Sequence, residues 1–157
     1  WDGHCVVHDE FKAFELKELK IRMPDAEVVI HPESPPSVIE LADFVGSTSQ
    51  MINFVASSKK KKFIIGTDNG LIHMMKKRAP EKQFFEAPTA GNGATCKSCA
   101  HCPWMEMNDL RDILVGLLEG KNEILVPKEI SNSARKSIEK MLAFNQLKDV
   151  PENRKTL

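Results

Sequence analysis

Apolar residues at Phe11, Phe14, Leu16, Leu19 and Met23 recur mostly three or four positions apart, which predicts a helix over residues 9–23. Pro24 and Asp25 end it. Residues 27–31 form a short β-rich run around Val28, Val29 and Ile30, the pattern of a buried strand. Residues 35–44 read as a helix, with prolines tolerated in its first turn and Val38, Ile39, Leu41 and Ala42 facing inward. Residues 46–49 break and cap, and residues 50–57 resume as helix. The lysines at 59–62 lead into a second strand at 63–67. Residues 69–78 are helical, and residues 83–87 form a third strand. After a loop over 88–101, residues 103–119 read as a helix ended by Gly120, followed by an extended piece at 123–126. Residues 131–147 close the chain as an amphipathic helix with Ile138, Met141, Leu142 and Leu147 on one side.

Strands alternating with helices, each strand continuously apolar, are the signature of an α/β fold: a parallel sheet flanked by helices. In open sheets of this kind, ligands bind just past the carboxyl ends of the strands. That rule singles out His31-Pro32-Glu33, Thr67-Asp68 and the loop after the third strand.

Composition narrows the class. The chain has 157 residues, enough to bury a proper core, and 22 basic residues balance 22 acidic ones. Such a balance offers no global field for nucleic acid or an anionic membrane. No apolar stretch approaches the roughly 20 residues that span a bilayer, and no signal-peptide pattern opens the chain. The expectation is a soluble, cytoplasmic, globular protein. The chain opens on Trp1, with Cys5 arriving almost at once, and this reads as a piece of a longer polypeptide.

The chemistry concentrates in cysteine. Of four cysteines, Cys96, Cys99 and Cys102 fall within seven residues. Thiolates at two-residue gaps suit zinc and iron–sulfur clusters alike, so the spacing argues for a metal without choosing one. A bare thiol pair or a disulfide is the bland alternative. Cys102-Pro103 opens a helical run, a position where the helix dipole favours a ligating thiolate. Cys5 and His8 stand one turn apart if a helix begins there. His31 and Glu33 flank a rigid proline at a strand end, where a carboxylate serves as general base and an imidazole binds an anion; an ordinary polar turn explains them equally well. Ser47 and Thr48 start a helix, a position suited to anions or simply to capping. The lysines at 59–62 read as a solvated turn, His4 and His73 as surface or packed histidines, and Met105 and Met107 as helix-face packing.

With these residues assembled, the chain resembles the quinolinate synthase family, the A protein of bacterial de novo NAD synthesis. The resemblance is carried by residues 5–11 (CVVHDEF), 24–27 (PDAE), 31–35 (HPESP), 42–49 (ADFVGSTS) and 87–91 (APTAG) through 102–105 (CPWM). The Cys96-Lys97-Ser98-Cys99 stretch is similar to the longer, enterobacterial-type branch.

The resemblance implies three similar αβα domains in a pseudo-threefold arrangement. On it, residues 1–95 form one α/β domain with its first strand truncated, and residues 96–157 supply a cysteine loop and C-terminal helices packing onto the domains. It implies condensation of iminoaspartate with dihydroxyacetone phosphate to quinolinate, with a 4Fe–4S cluster as Lewis acid and an aspartate oxidase as the expected source of iminoaspartate. Cys5 and Cys102 would be cluster ligands; Cys96 and Cys99 would be extra thiols able to pair as a disulfide. His8 and His31 would line the pocket, Glu33 would be the acid–base residue, and Ser47 and Thr48 would hold a substrate carboxylate or phosphate. The third cluster cysteine, the family's tyrosines and the N-terminal domains have no counterpart in the sequence, which contains no tyrosine. The expectation follows that this chain needs those domains for turnover. A zinc-binding structural module or a thiol-redox module is the alternative.

Overall fold

A computed structural model describes residues 5–89, 100–121 and 123–146. The chain divides into two compact units, Trp1–Glu106 and Met107–Leu157.

In the first unit the apolar runs become strands β1 (Glu27–Ile30), β2 (Phe44–Val45), β3 (Lys62–Gly66) and β4 (Gln83–Glu86). They form one four-stranded parallel sheet in the order β2-β1-β3-β4. Val28 pairs with Ile64 and Val29 with Ile65, while Phe63 pairs with Phe84 on the far side of β3. The α/β expectation therefore holds. Helices α1 (Val6–Asp9), α2 (Ala13–Arg22), α3 (Pro36–Ile39), α4 (Thr48–Ser57) and α5 (Asn69–Arg78) connect or precede the strands.

Side-chain alternation sends successive strand residues to opposite faces of the sheet. Val28, Ile30 and Ile64 join Phe11, Leu16 and Val38 in one core; Val29, Phe63 and Ile65 join Met51, Val55, Ile72 and Met75 in the other. The three residues Val28–Ile30 and the three at 63–65 have no exposed surface. Burying each such side chain contributes about 1.5–3 kcal/mol. This two-sided burial explains the unbroken apolar runs of β1 and β3.

Several boundaries differ from the sequence expectation, each for a local reason. The helix expected over 9–23 is broken, because the Lys12 amide donates to the Pro88 carbonyl (3.1 Å) and Phe11 turns into the core. The helix expected over 35–44 stops at Ile39, and its tail becomes β2. There Asp43 caps the edge of β1: its amide donates to the Val28 carbonyl (2.8 Å) and its carboxylate accepts the Val28 amide (2.8 Å). Pairing the open edge of β1 outweighs one more helical turn.

Beyond the sheet, the helix expected over 103–119 is split into α6 (Pro103–Glu106), in the first unit, and α7 (Leu110–Glu119), in the second. Asp109 explains the restart: its carboxylate accepts the Asp112 amide (2.7 Å), satisfying a donor that a continuous helix would have used. Gly120 ends α7 with φ +62°, as expected of a glycine stop. Residues 123–126 form no strand. Helix α8 (Lys128–Gln146) starts earlier than expected, directly after Pro127, whose carbonyl accepts the Ser131 amide (2.9 Å).

Candidate active site

The site is assembled past the carboxyl ends of β1 and β3. Cys5 is the N-cap residue of α1, its backbone extended (φ −88°, ψ 114°) and its carbonyl accepting the His8 and Asp9 amides, each at 3.1 Å. One turn of helix thus separates Cys5 from His8, and both face the same side. His8 is 6% exposed. Its ring spans the site: Nδ1 lies 3.0 Å from Glu33 Oε2 and Nε2 lies 3.0 Å from Thr67 Oγ1. An ionised carboxylate only accepts, so Nδ1 carries the proton given to Glu33, and the Thr67 hydroxyl serves the other nitrogen.

His31 stacks on His8, with ring centroids 4.1 Å apart and planes inclined by 7°. Its Nδ1 receives the Glu33 amide at 3.4 Å and lies 3.7 Å from Glu33 Oε2. That amide contact puts the proton of the neutral ring on Nε2. Burial holds the His31 pKa below its ordinary value; the neighbouring His8 lowers it further, and Glu33 pulls partly the other way. His31 is therefore a neutral imidazole at neutral pH. The Glu33 side chain is 56% exposed, so it reaches solvent or a ligand while still bound to His8. Next to it, the buried Ser34 hydroxyl has no hydrogen-bond partner among the described residues. Cys5, His8 and Glu33 offer ligand atoms that all lie within 4.8 Å of one another.

The end of β3 holds the other cysteine. Asp68 caps α5, and its second oxygen accepts the Cys102 amide at 3.1 Å. The Asn69 amide donates to the Ala100 carbonyl at 2.7 Å. Cys102 immediately precedes α6, and its carbonyl accepts the Glu106 amide at 3.1 Å. A cleft of about 370 Å³ opens here, lined by Asp68, Asn69, His101, Cys102, Met105 and Glu106. His101 and Glu106 pair across it at 3.1 Å. Both Cys5 and Cys102 are free thiols and partly exposed.

Residues distant in sequence are thus brought to one edge: Cys5, His8, His31 and Glu33 directly, and Cys102 through the turn at Thr67 and Asp68. Ser47 and Thr48 lie one strand over, past β2, and are exposed. Ser47 forms a capping box with Gln50, whose Oε1 accepts the Ser47 amide at 2.8 Å. Cys96 and Cys99 lie outside the described residues. Sequence reasoning named Thr67-Asp68 as a strand end but gave neither residue a role. Only the fold shows that Thr67 serves His8 and that Asp68 serves Cys102.

A model of the quinolinate synthetase A protein family matches residues 1–143. The chain belongs to this family. The match covers every candidate residue in both strand-end clusters, and the resemblance read from the cysteine and His-Pro-Glu motifs agrees with it. No helix among the described residues is long and apolar enough to cross a membrane.

Proposed function

We propose that the chain takes part in the quinolinate synthase reaction, a transferase step of de novo NAD biosynthesis in the cytoplasm. In that reaction iminoaspartate and dihydroxyacetone phosphate condense to quinolinate with loss of two waters and phosphate. The observation that carries the reading is the His8 bridge between Glu33 and Thr67 at the sheet's ligand-binding edge, in a chain of this family.

The residues present fit a 4Fe–4S cluster in the chemistry of their donors. Cys5 and Cys102 are free, partly exposed thiols gathered at one sheet edge, and soft thiolates are what such a cluster takes. When bound, the cluster supplies a Lewis acid that draws charge from a substrate oxygen.

The remaining work falls to this chain's own side chains. Glu33, exposed at its tip and held by His8, accepts a proton from substrate carbon and returns one to a departing hydroxyl. His8 keeps that carboxylate aimed, and Thr67 fixes the His8 ring from behind. Neutral His31 offers its Nε2 proton to a substrate oxygen. Ser47 and Thr48, exposed at the start of α4, hold a substrate carboxylate or phosphate. An aspartate oxidase supplies the short-lived imine, and Cys96 and Cys99 stand aside from the metal as a thiol pair able to form a disulfide.

Quinolinate formation by the cluster-loaded enzyme, with the N-terminal domains supplied, tests the reading. Glu33→Gln should lower the rate by about 10²–10⁴-fold, the usual contribution of general acid–base catalysis; an unchanged rate removes Glu33 from the chemistry. A second reading, a zinc-binding structural module, draws on the proximity of Cys5, His8 and Glu33, while a thiol-redox module would rest on Cys96 and Cys99. Anaerobic reconstitution with iron and sulfide separates the two. Broad visible absorption lost in Cys5→Ser favours the cluster, whereas a colourless protein that binds zinc favours the alternative.

A further inference from the structure

Asp68 has both carboxylate oxygens committed. Oδ1 accepts the Gly70 amide at 2.8 Å and so caps α5. Capping needs only that one oxygen. Oδ2 is spent on a residue 34 positions away, the amide of Cys102. Beside it the Asn69 amide holds the Ala100 carbonyl, so consecutive residues grip the cysteine segment at two points. The Cys102 carbonyl is fixed by the first turn of α6. With amide and carbonyl both fixed, only the thiol remains free to serve a ligand. The residue before Asp68 is Thr67, which holds His8.

We propose that Asp68 is a positioning residue for Cys102: its second carboxylate oxygen fixes the cysteine backbone and, through the adjoining Thr67, sets the thiol's place relative to His8. The proposal rests on Cys102 serving the metal centre, but the positioning itself is measurable without metal. A charge-assisted hydrogen bond to a backbone amide is among the stronger ones a side chain makes, so its removal loosens the held segment selectively.

The test is site-resolved thiol alkylation of the metal-free full chain, carrying Cys96→Ser and Cys99→Ser so that Cys5 is the internal reference. In Asp68→Ser the hydroxyl can still cap α5, but no second oxygen remains for Cys102. Modification of Cys102 by iodoacetamide should rise about tenfold relative to Cys5, with the melting temperature held. Asp68→Asn, whose single carbonyl oxygen can serve only one of the two donors, should raise the same ratio. An unchanged ratio in both variants overturns the proposal. So does an equal rise at both thiols, which marks general loosening. The metal reading is judged separately by Cys102→Ser: visible absorption that survives this change after reconstitution with iron and sulfide overturns Cys102 as a ligand, whatever Asp68 does to its reactivity.

Discussion

The two central strands end at the same edge but hold their chemistry in different ways. Past β1, the functional groups are joined by side chains: the His8 ring to Glu33, to Thr67 and face to face with His31. Past β3, the cysteine segment is held by its backbone, Asp68 taking the Cys102 amide and Asn69 the Ala100 carbonyl. A side-chain network changes its hydrogen bonding whenever one member gains or loses a proton. Contacts to backbone amides rest on donors that do not titrate. The β1 end is suited to moving protons, and the β3 end to keeping a ligand still.

The largest expected effect breaks the β1 end. His8→Ala removes the group that aims Glu33, and, on the proposed function, quinolinate formation with the N-terminal domains and cluster supplied should fall on the order of 10²-fold or more. A rate within a few-fold of the parent would show that Glu33 needs no such partner. Next comes the scaffold that both ends share. Ile64, with no exposed surface, sits in β3 and packs in the core beside Val28 and Ile30. Ile64→Ala should cost about 2–5 kcal/mol in denaturant unfolding. Because β3 pairs with β1 along its length, both ends should loosen together, visible as faster alkylation of Cys5 and Cys102 alike.

Much of the β1 end was legible in the sequence because its parts are close in sequence. Cys5 and His8 are one helical turn apart, and His31 and Glu33 flank one proline at the end of an apolar run. The rule that ligands gather past strand ends singled out His31-Pro32-Glu33, Thr67-Asp68 and the cysteine loop. What stayed hidden depends on pairings across long stretches of chain. Thr67 meets His8 from 59 positions away, and no local pattern marks a threonine at a strand end as a histidine's partner. β2 was hidden for the same reason: two residues carry little periodicity, and their strand character comes from pairing with Val29 and Ile30 of β1. Likewise the helix break at Lys12 reflects its bond to Pro88, which the apolar spacing of residues 11–23 cannot reveal.

A smaller effect isolates the link between the two ends. Thr67 is 1% exposed, and its hydroxyl serves His8 Nε2. Thr67→Val keeps the shape and leaves a buried ring nitrogen without a partner, at an expected cost of about 1–3 kcal/mol in unfolding free energy. Activity should fall as well, since His8 then loses its fixed orientation. A variant as stable as the parent would mean that the nitrogen finds another partner.

The smallest effect is one of protonation, and its sign follows from the stack. Burial and the neighbouring His8 hold His31 below its ordinary pKa of 6.5, and Glu33 opposes them. Above pH 6.5 the ring is neutral in both folded and unfolded chains, so His31 adds no pH dependence there. As pH falls through 6.5 the unfolded chain takes up the proton first, so the unfolded state is favoured and stability declines. The decline levels off once pH passes below the folded-state value, where both states are protonated. Glu33→Gln removes the one neighbour that raises the His31 pKa, so it should push the value lower still and widen that window. Proton-detected titration of the His31 ring measures this directly. A midpoint that moves up in Glu33→Gln would mean that the carboxylate does not stabilise the His31 cation, and that the stack is held by His8 alone.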